Sequence, residues 1–150
     1  MASPSADQRD PDSGGPAAAI AVHLDATFTD AVDRTRIALR EHGFGVVTEF
    51  DVQAALREGT GEHIAEYLIL GACNPQPAGR ALAMDREAGC LLPRIVVVRA
   101  DRTGVLVEAT DPTLLAEVLA RPERTEPAEA ARRLLTAAVA DLAHPAAAAG

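Results

Sequence analysis

The chain has 150 residues, a size typical of one domain, and 48% of them are apolar, which excludes a disordered protein. Its formal net charge of −8 argues against binding to nucleic acid or to anionic membrane surfaces, because both favour a basic surface. Two cysteines are too few for a disulfide scaffold and fit a reducing cytoplasm, where we expect the protein to be located. No apolar run has the length of a membrane span, and the N-terminal residues lack the apolar core of a signal peptide.

Both ends of the chain have compositions that predict disorder. Residues 1–16 are rich in Ser, Pro, Asp and Gly, so we expect a disordered N-terminal arm. Residues 144–150 are a short tail of mostly alanine that we expect to fray. The sequence therefore predicts a single folded domain over residues 17–143.

The first predicted elements are a strand and a helix. Residues 18–24 alternate as a strand, with Ile20, Val22 and Leu24 on one face and His23 on the other. Thr27 then caps a helix that Gly43 ends. The inner stripe of this helix is predicted to comprise Ala31, Val32, Thr35, Ala38 and Leu39.

The middle of the chain predicts two further strands, each followed by a helix. Residues 45–50 form a strand with Val46, Thr48 and Phe50 on one side, and residues 51–58 a short helix. Residues 67–72 are nearly all apolar, which favours a strand that is buried on both faces or central in its sheet. Asn74-Pro75 then starts a helix, because Asn accepts from free amides and Pro has no amide to leave unpaired. It is predicted to run to about residue 88, with Ala78, Ala81 and Leu82 turned inward.

The last third predicts a hairpin and two helices. Residues 94–100 and 105–109 form the hairpin around Asp101-Arg102-Thr103-Gly104, and a short helix covers residues 113–120. A final helix over residues 126–142 buries Ala131, Leu135, Ala138 and Leu142. The hairpin excludes a purely parallel sheet. The predicted fold is therefore α+β and two-layered, with a mixed, mostly antiparallel five-stranded sheet and helices packed on one face.

Motifs for the common cofactors and metals are absent from the sequence. No phosphate-binding loop and no G-x-G-x-x-G occurs, and the serines lie only in the arm, which excludes serine hydrolase chemistry. The spacing of the four histidines and of Cys73 and Cys90 predicts no metal site. We therefore expect no cofactor, no metal and no complete catalytic set.

Two places in the sequence still carry candidate site residues. Cys73 stands between a buried strand and the helix start at Asn74, where helix amides favour a thiolate nucleophile or soft ligand. The alternative is that Cys73 is a small buried apolar residue. Glu49 and Asp51 share one face of a strand and could act as an acid/base pair or hold a cation. The alternative is a solvated strand end.

The same two places carry a family resemblance. Three segments, residues 43–52 (GFGVVTEFDV), 67–75 (YLILGACNP) and 91–93 (LLP), resemble domain-of-unknown-function family 302 in order and in spacing. The resemblance spans residues 23–111. It implies an α+β domain of the TATA-box-binding-protein-like fold class that is often dimeric, and it implies no established reaction. The class name describes topology and does not carry DNA binding.

One position departs from the family pattern. Members commonly have a cysteine directly after Leu-Leu-Pro, whereas this chain has Arg94. If that cysteine works with the one at position 73, as a thiol pair or soft-metal site, this chain lacks half of the site.

Three functions follow as expectations, of which the third is a purely structural or regulatory module that is fused to partners in other genomes. The first is a non-enzymatic domain that binds an unknown small molecule or a protein partner and acts as a homodimer. Its candidate ligand-binding residues are Cys73, Asn74, Glu49 and Asp51. The homodimer rests on the resemblance and on the expectation that the last strand of the hairpin leaves an exposed edge. The alternative is a thiol-dependent enzyme or a redox or soft-metal protein that uses Cys73, assisted by Glu49 or Asp51.

Overall fold

The computed structural model describes residues 19–91, 93–114 and 125–143. The ten elements in this part of the chain are β1 (Ala19–Leu24), α1 (Phe28–Glu41), β2 (Gly45–Asp51), α2 (Val52–Thr60), β3 (Tyr67–Cys73), α3 (Pro75–Met84), a 3₁₀ helix (Arg86–Leu91), β4 (Arg94–Asp101), β5 (Gly104–Thr110) and α4 (Thr125–Ala143). The predicted arm and tail, and residues 115–120 of the predicted short helix, lie outside the described residues.

The five strands form one sheet in the order β1-β5-β4-β3-β2. Every pair of neighbours is antiparallel, so the predicted five-stranded, mostly antiparallel sheet is wholly antiparallel. Helix α1 links β1 at one edge to β2 at the other. The hairpin of β4 and β5 is confirmed, with Asp101 opposite Gly104. The expected edge in this hairpin is wrong, because β1 pairs along β5 and makes β5 an interior strand.

The core lies between one face of the sheet and the two long helices. Leu39 of α1 and Leu135 and Leu142 of α4 pack against Leu70, Val96, Val98 and Val107 of the strands. The predicted inner stripes of α1 and α4 are confirmed, except that Val32 is only partly buried. These two helices and the sheet make the two layers of an α+β fold. A cavity of about 10 Å³, lined by apolar side chains and Thr35, lies in this core.

The ends of the helices follow from local hydrogen bonds. The Thr27 side chain accepts from the amide of Asp30 at 3.1 Å, which confirms the predicted cap of α1. Helix α3 ends at Met84 rather than near residue 88. Asp85 is extended there, and its carboxylate accepts from the amide of Glu87 at 2.9 Å to start the 3₁₀ helix. Leu82 is 39% exposed instead of inward, because α3 buries Pro77, Ala78 and Ala81.

The other face of the sheet is turned away from α1 and α4, and we call it the second face. Strand alternation and the pairing register give its members. They include Ala21, His23, Thr48, Phe50, Tyr67, Ile69, Gly71, Cys73, Ile95, Val97, Arg99, Leu106 and Glu108. A bulge in β2 between Val46 and Thr48 puts Val46 on the core side, which corrects the prediction that it shares a side with Thr48 and Phe50. Within the described ranges no helix is long and apolar enough to cross a bilayer.

Candidate functional site

The three segments that resemble the family meet at one point of the second face. Thr48 on β2 lies opposite Gly71 on β3. A Cβ atom at Gly71 would overlap the Thr48 hydroxyl and would come within 2.8 Å of the Pro93 ring. Because both neighbours fill the space above Gly71, only glycine fits there. We call Thr48, Gly71, Cys73 and Pro93 the motif junction.

Cys73 lies at the end of β3, two residues after Gly71 and on the same face. Its thiol is free and half-buried. The residue opposite is Gly45 of β2, which is exposed and has no side chain to cover the sulfur. The thiol can therefore be approached from the β2 side of the sheet.

Arg94 brings a positive charge near this thiol. It starts β4 opposite Ala72, the residue before Cys73. Burial lowers the pKa of Arg94, and its interaction with Cys73 acts in the opposite direction. The register sends the Arg94 side chain to the helix side of the sheet and Cys73 to the second face, so the two groups interact from opposite faces at the ends of their strands. A cation near a partly exposed thiol is one of the settings in which reactive cysteines are found.

Asn74 is next to Cys73, but its polar atoms are used within the fold. Asn74 is buried, with only 8% of its surface exposed. Its Oδ1 accepts from the amide of Gln76 at 3.2 Å, which confirms the predicted cap of α3. Its Nδ2 donates to the carbonyl of His42 at 3.2 Å, after the end of α1. Asn74 therefore positions Cys73 and joins α3 to α1.

Glu49 and Asp51 do not meet Cys73. They share a face of β2, as predicted, but the register places that face on the helix side of the sheet. Glu49 forms an ion pair with Arg36 of α1. Asp51 caps α2 by accepting from the amide of Ala54 at 2.9 Å. The structure thus brings Cys73 and Asn74 together and leaves the two carboxylates in separate local contacts.

Exposed apolar side chains surround the motif junction. Ile95 lies opposite Gly71 and is 41% exposed, and Phe50 lies opposite Ile69 and is 53% exposed. Val47 at the bulge is also largely exposed. Ile95 and Phe50 were not predicted as surface candidates from the sequence. The alternation of apolar and polar residues suggests that an apolar strand residue packs against another layer. It does not show which face of the sheet that layer covers.

A buried ion pair lies at the centre of the second face. Arg99 Nε is 2.9 Å from Glu108 Oε1, and their side chains are only 16% and 13% exposed. Arg99 lies opposite both Tyr67 and Leu106. The tight turn at Asp101–Gly104 fixes the register of the hairpin, and this register makes Arg99 and Glu108 diagonal neighbours. The ion pair could therefore have been predicted from the hairpin sequence.

A second polar cluster joins β1 to the hairpin turn. His23 Nε2 lies 3.0 Å from the Asp101 carboxylate and 3.0 Å from the Thr103 hydroxyl. The Asp101 side chain is 1% exposed. Burial alone would raise its pKa, but hydrogen bonds from His23 and from the Thr103 amide outweigh burial and hold the pKa below its usual range.

Neither a metal centre nor the core cavity adds to this site. Among the residues that the structure describes, no group of three His, Cys, Asp or Glu side chains could hold a metal ion. The cavity between α1, α4 and the sheet is lined by none of Cys73, Asn74, Glu49 or Asp51. What this part of the chain offers is a sheet face with exposed apolar residues beside a half-buried thiol.

Comparison with known proteins identifies the family. The crystal structure of an uncharacterized conserved protein DUF302 from Bacillus stearothermophilus superposes with a TM-score of 0.78 at 26% identity, over 83% of this chain and 98% of that one. No curated protein matches the chain. The family model for the domain of unknown function DUF302 matches residues 20–142. The chain therefore belongs to the DUF302 family of domains of unknown function.

Proposed function

We propose that this DUF302 domain is a non-enzymatic binding domain, that it acts as a homodimer, and that it binds through the second face around the motif junction. The observation that carries the proposal is the exposure of Phe50 and Ile95 on a sheet face away from both long helices. Exposed apolar residues grouped on one surface are typical of ligand or partner sites. The three segments that resemble the family meet at the same place, so this surface is built from motifs typical of the family. The fold class of the TATA-box-binding-protein type and the cytoplasmic location remain predictions alongside it.

The polar groups on this face fit binding better than catalysis. Arg99 and Glu108 neutralise each other at 2.9 Å. His23 is held by Asp101 and Thr103 at the far edge of the sheet. Glu49 and Asp51, the acid/base candidates, are engaged on the helix side. A small molecule with an apolar body would cover Ile95 and Phe50 and would reach the thiol with one end.

The test compares Phe50→Asp with Ile37→Asp in binding of the apolar dye ANS to the native protein. Ile37 is a matched control, since it is 49% exposed on α1 and so outside the second face. Losing one apolar contact of about 1.5 kcal/mol weakens binding about tenfold, so Phe50→Asp should lower ANS affinity by that factor. Ile37→Asp should leave it unchanged. Equal effects of the two variants would overturn the assignment of the second face.

The homodimer is tested separately by sedimentation equilibrium at micromolar concentration. Native mass spectrometry of freshly purified protein reports a retained small molecule in the same preparation. A monomer across this range would overturn the homodimer and leave the binding surface to the dye experiment.

A second candidate function is a thiol-dependent reaction at Cys73. The observation in its favour is the free, half-buried thiol at the end of β3, beside the start of β4 at Arg94. The test is the alkylation rate of Cys73 in a Cys90→Ser background, with Arg94→Gln compared to Arg80→Gln, an exposed arginine on α3. A rate above that of a free thiol that falls only in Arg94→Gln would favour this function. A rate at or below that of a free thiol favours the binding domain.

A further inference from the structure

The two edges of the sheet are built differently. The β2 edge contains the bulge between Val46 and Thr48, and it carries the charged side chains Glu49 and Asp51. Bulges and charges are the devices that keep an edge strand from pairing with another chain. The β1 edge has neither a bulge nor a proline, and Ala19–Leu24 stay in regular register with Thr110–Val105. His23 is the one titratable side chain in β1.

Contacts on both faces of β1 hold the strand in place, and its outer edge is open for pairing. His23 is fixed to the Asp101 carboxylate and to the Thr103 hydroxyl across the hairpin turn. On its other side, Val22 and Leu24 pack into the core below α4. Among the described residues β1 pairs with β5 alone, so one row of its backbone amides and carbonyls has no ladder partner there.

We propose that the outer edge of β1 is the dimer surface and that its occupant is β1 of a second copy, paired antiparallel. This inference rests on the homodimer of the proposed function. With a two-fold axis through Ala21, even-numbered residues of β1 pair with even-numbered residues of the partner's β1. The core-facing residues of both copies therefore lie on the same side of the joined sheet. Ile20 meets the partner's Val22 there, and Ala21 meets its own symmetry mate. No charged pair of like sign is brought together, and the result is one ten-stranded sheet.

The chain's own N-terminal segment is a poor alternative occupant. Residues 1–18 directly precede β1 and would have to fold back along it. Pro11, Gly14, Gly15 and Pro16 stand in the part that would need to turn and pair. Proline cannot donate to a ladder, and glycine weakens a strand. A second copy meets neither obstacle.

The test uses the full chain and three variants in sedimentation equilibrium. Ala21 is exposed on β1, so Ala21→Lys places two like charges beside the two-fold axis. We expect it to weaken the dimer by at least about tenfold with an unchanged far-ultraviolet circular dichroism spectrum. The matched control is Phe50→Lys on the opposite edge strand, which should keep the dimer. Ala21→Cys in a background of Cys73→Ser and Cys90→Ser should cross-link between protomers with a short bismaleimide.

The outcomes separate this inference from the proposed function. A wild-type monomer would overturn both. A wild-type dimer that survives Ala21→Lys, or that Phe50→Lys dissociates instead, would overturn the β1 edge and keep the homodimer. If Ala21→Lys loses its fold, absence of the Ala21→Cys cross-link overturns the edge. A monomer that dimerises only after deletion of residues 1–16 would identify the arm as the occupant.

Discussion

Asn74 is the residue whose replacement tests the site geometry most directly, because two hydrogen bonds meet in its side chain. Loss of the bond from the Gln76 amide removes the cap of α3, which costs about 1 kcal/mol. Loss of the bond to the His42 carbonyl leaves a part-buried acceptor without its partner, at a cost of about 1 kcal/mol. Asn74→Ala should therefore lower the free energy of unfolding by about 2 kcal/mol.

Asn74→Asp separates the two contributions. Aspartate caps a helix about as well as asparagine, so the α3 cap is kept. It has no amide to donate to His42, and it turns an oxygen toward that carbonyl instead. We expect Asn74→Asp to lose at least half of what Asn74→Ala loses, because the carboxylate repels the His42 carbonyl as well as lacking the donated bond.

Urea unfolding followed by far-ultraviolet circular dichroism is the suitable assay, since the chain has no tryptophan. Gly43 supplies a cross-check: it has a φ of +88°, and a Cβ there would lie 2.8 Å from Asn74 Nδ2. Gly43→Ala should consequently be less damaging in the Asn74→Ala background than in the wild type. A loss for Asn74→Asp well below half of that for Asn74→Ala, or additive effects of Gly43→Ala and Asn74→Ala, would refute the two-bond account.

Two further predictions concern the stability of the fold. The pKa of Asp101 is lowered in the folded state, so its contribution to stability is present above the ordinary carboxyl value of 3.8 and is lost as the pH falls through the folded value. In urea titrations at several pH values, the free energy of unfolding should accordingly decrease as the pH is lowered below about 4, and it should decrease less steeply in Asp101→Asn. The same dependence of this free energy on pH in Asp101→Asn and wild type would contradict the role of Asp101. Leu135→Ala should cost about 3 kcal/mol, because Leu135 is fully buried beside the core cavity. Leu82→Ala, at a residue 39% exposed, should cost less than about 1 kcal/mol in the same assay, and similar losses would argue against this packing.

The elements with strong local signals could be predicted from the sequence. Thr27 and Asn74 both cap helices where expected, since a capping side chain acts on amides two or three residues away. The inner stripe of α4, with Leu135 and Leu142, follows from helical periodicity. The end of α3 at Met84 was missed, because Asp85 starts a 3₁₀ turn that periodicity does not register.

Long-range pairing limited the rest. No local sequence pattern indicates that β1 pairs with β5, some eighty residues away. The last strand of the hairpin was therefore wrongly predicted to be an edge strand. The bulge at Val47 reverses the alternation of β2, so Glu49 and Asp51 face the helices while Phe50 faces outward. The candidate site was therefore half predictable. Cys73 and Asn74 were found as neighbours in sequence, whereas Arg99 and Glu108 come together through the register of the sheet.

The position of Arg94 bears on whether relatives with a cysteine there could form a thiol pair. Arg94 lies opposite Ala72, so its side chain leaves β4 on the helix side, whereas Cys73 leaves β3 on the second face. A disulfide needs Cβ atoms about 3.5–4.5 Å apart that point toward each other. In the double variant Arg94→Cys and Cys90→Ser we therefore expect the two thiols to stay free after mild oxidation. Thiol titration and intact mass of the native protein measure this, with circular dichroism to confirm folding. A disulfide between positions 73 and 94 would show that the strand ends rearrange, and it would favour thiol-pair chemistry in relatives that carry both cysteines.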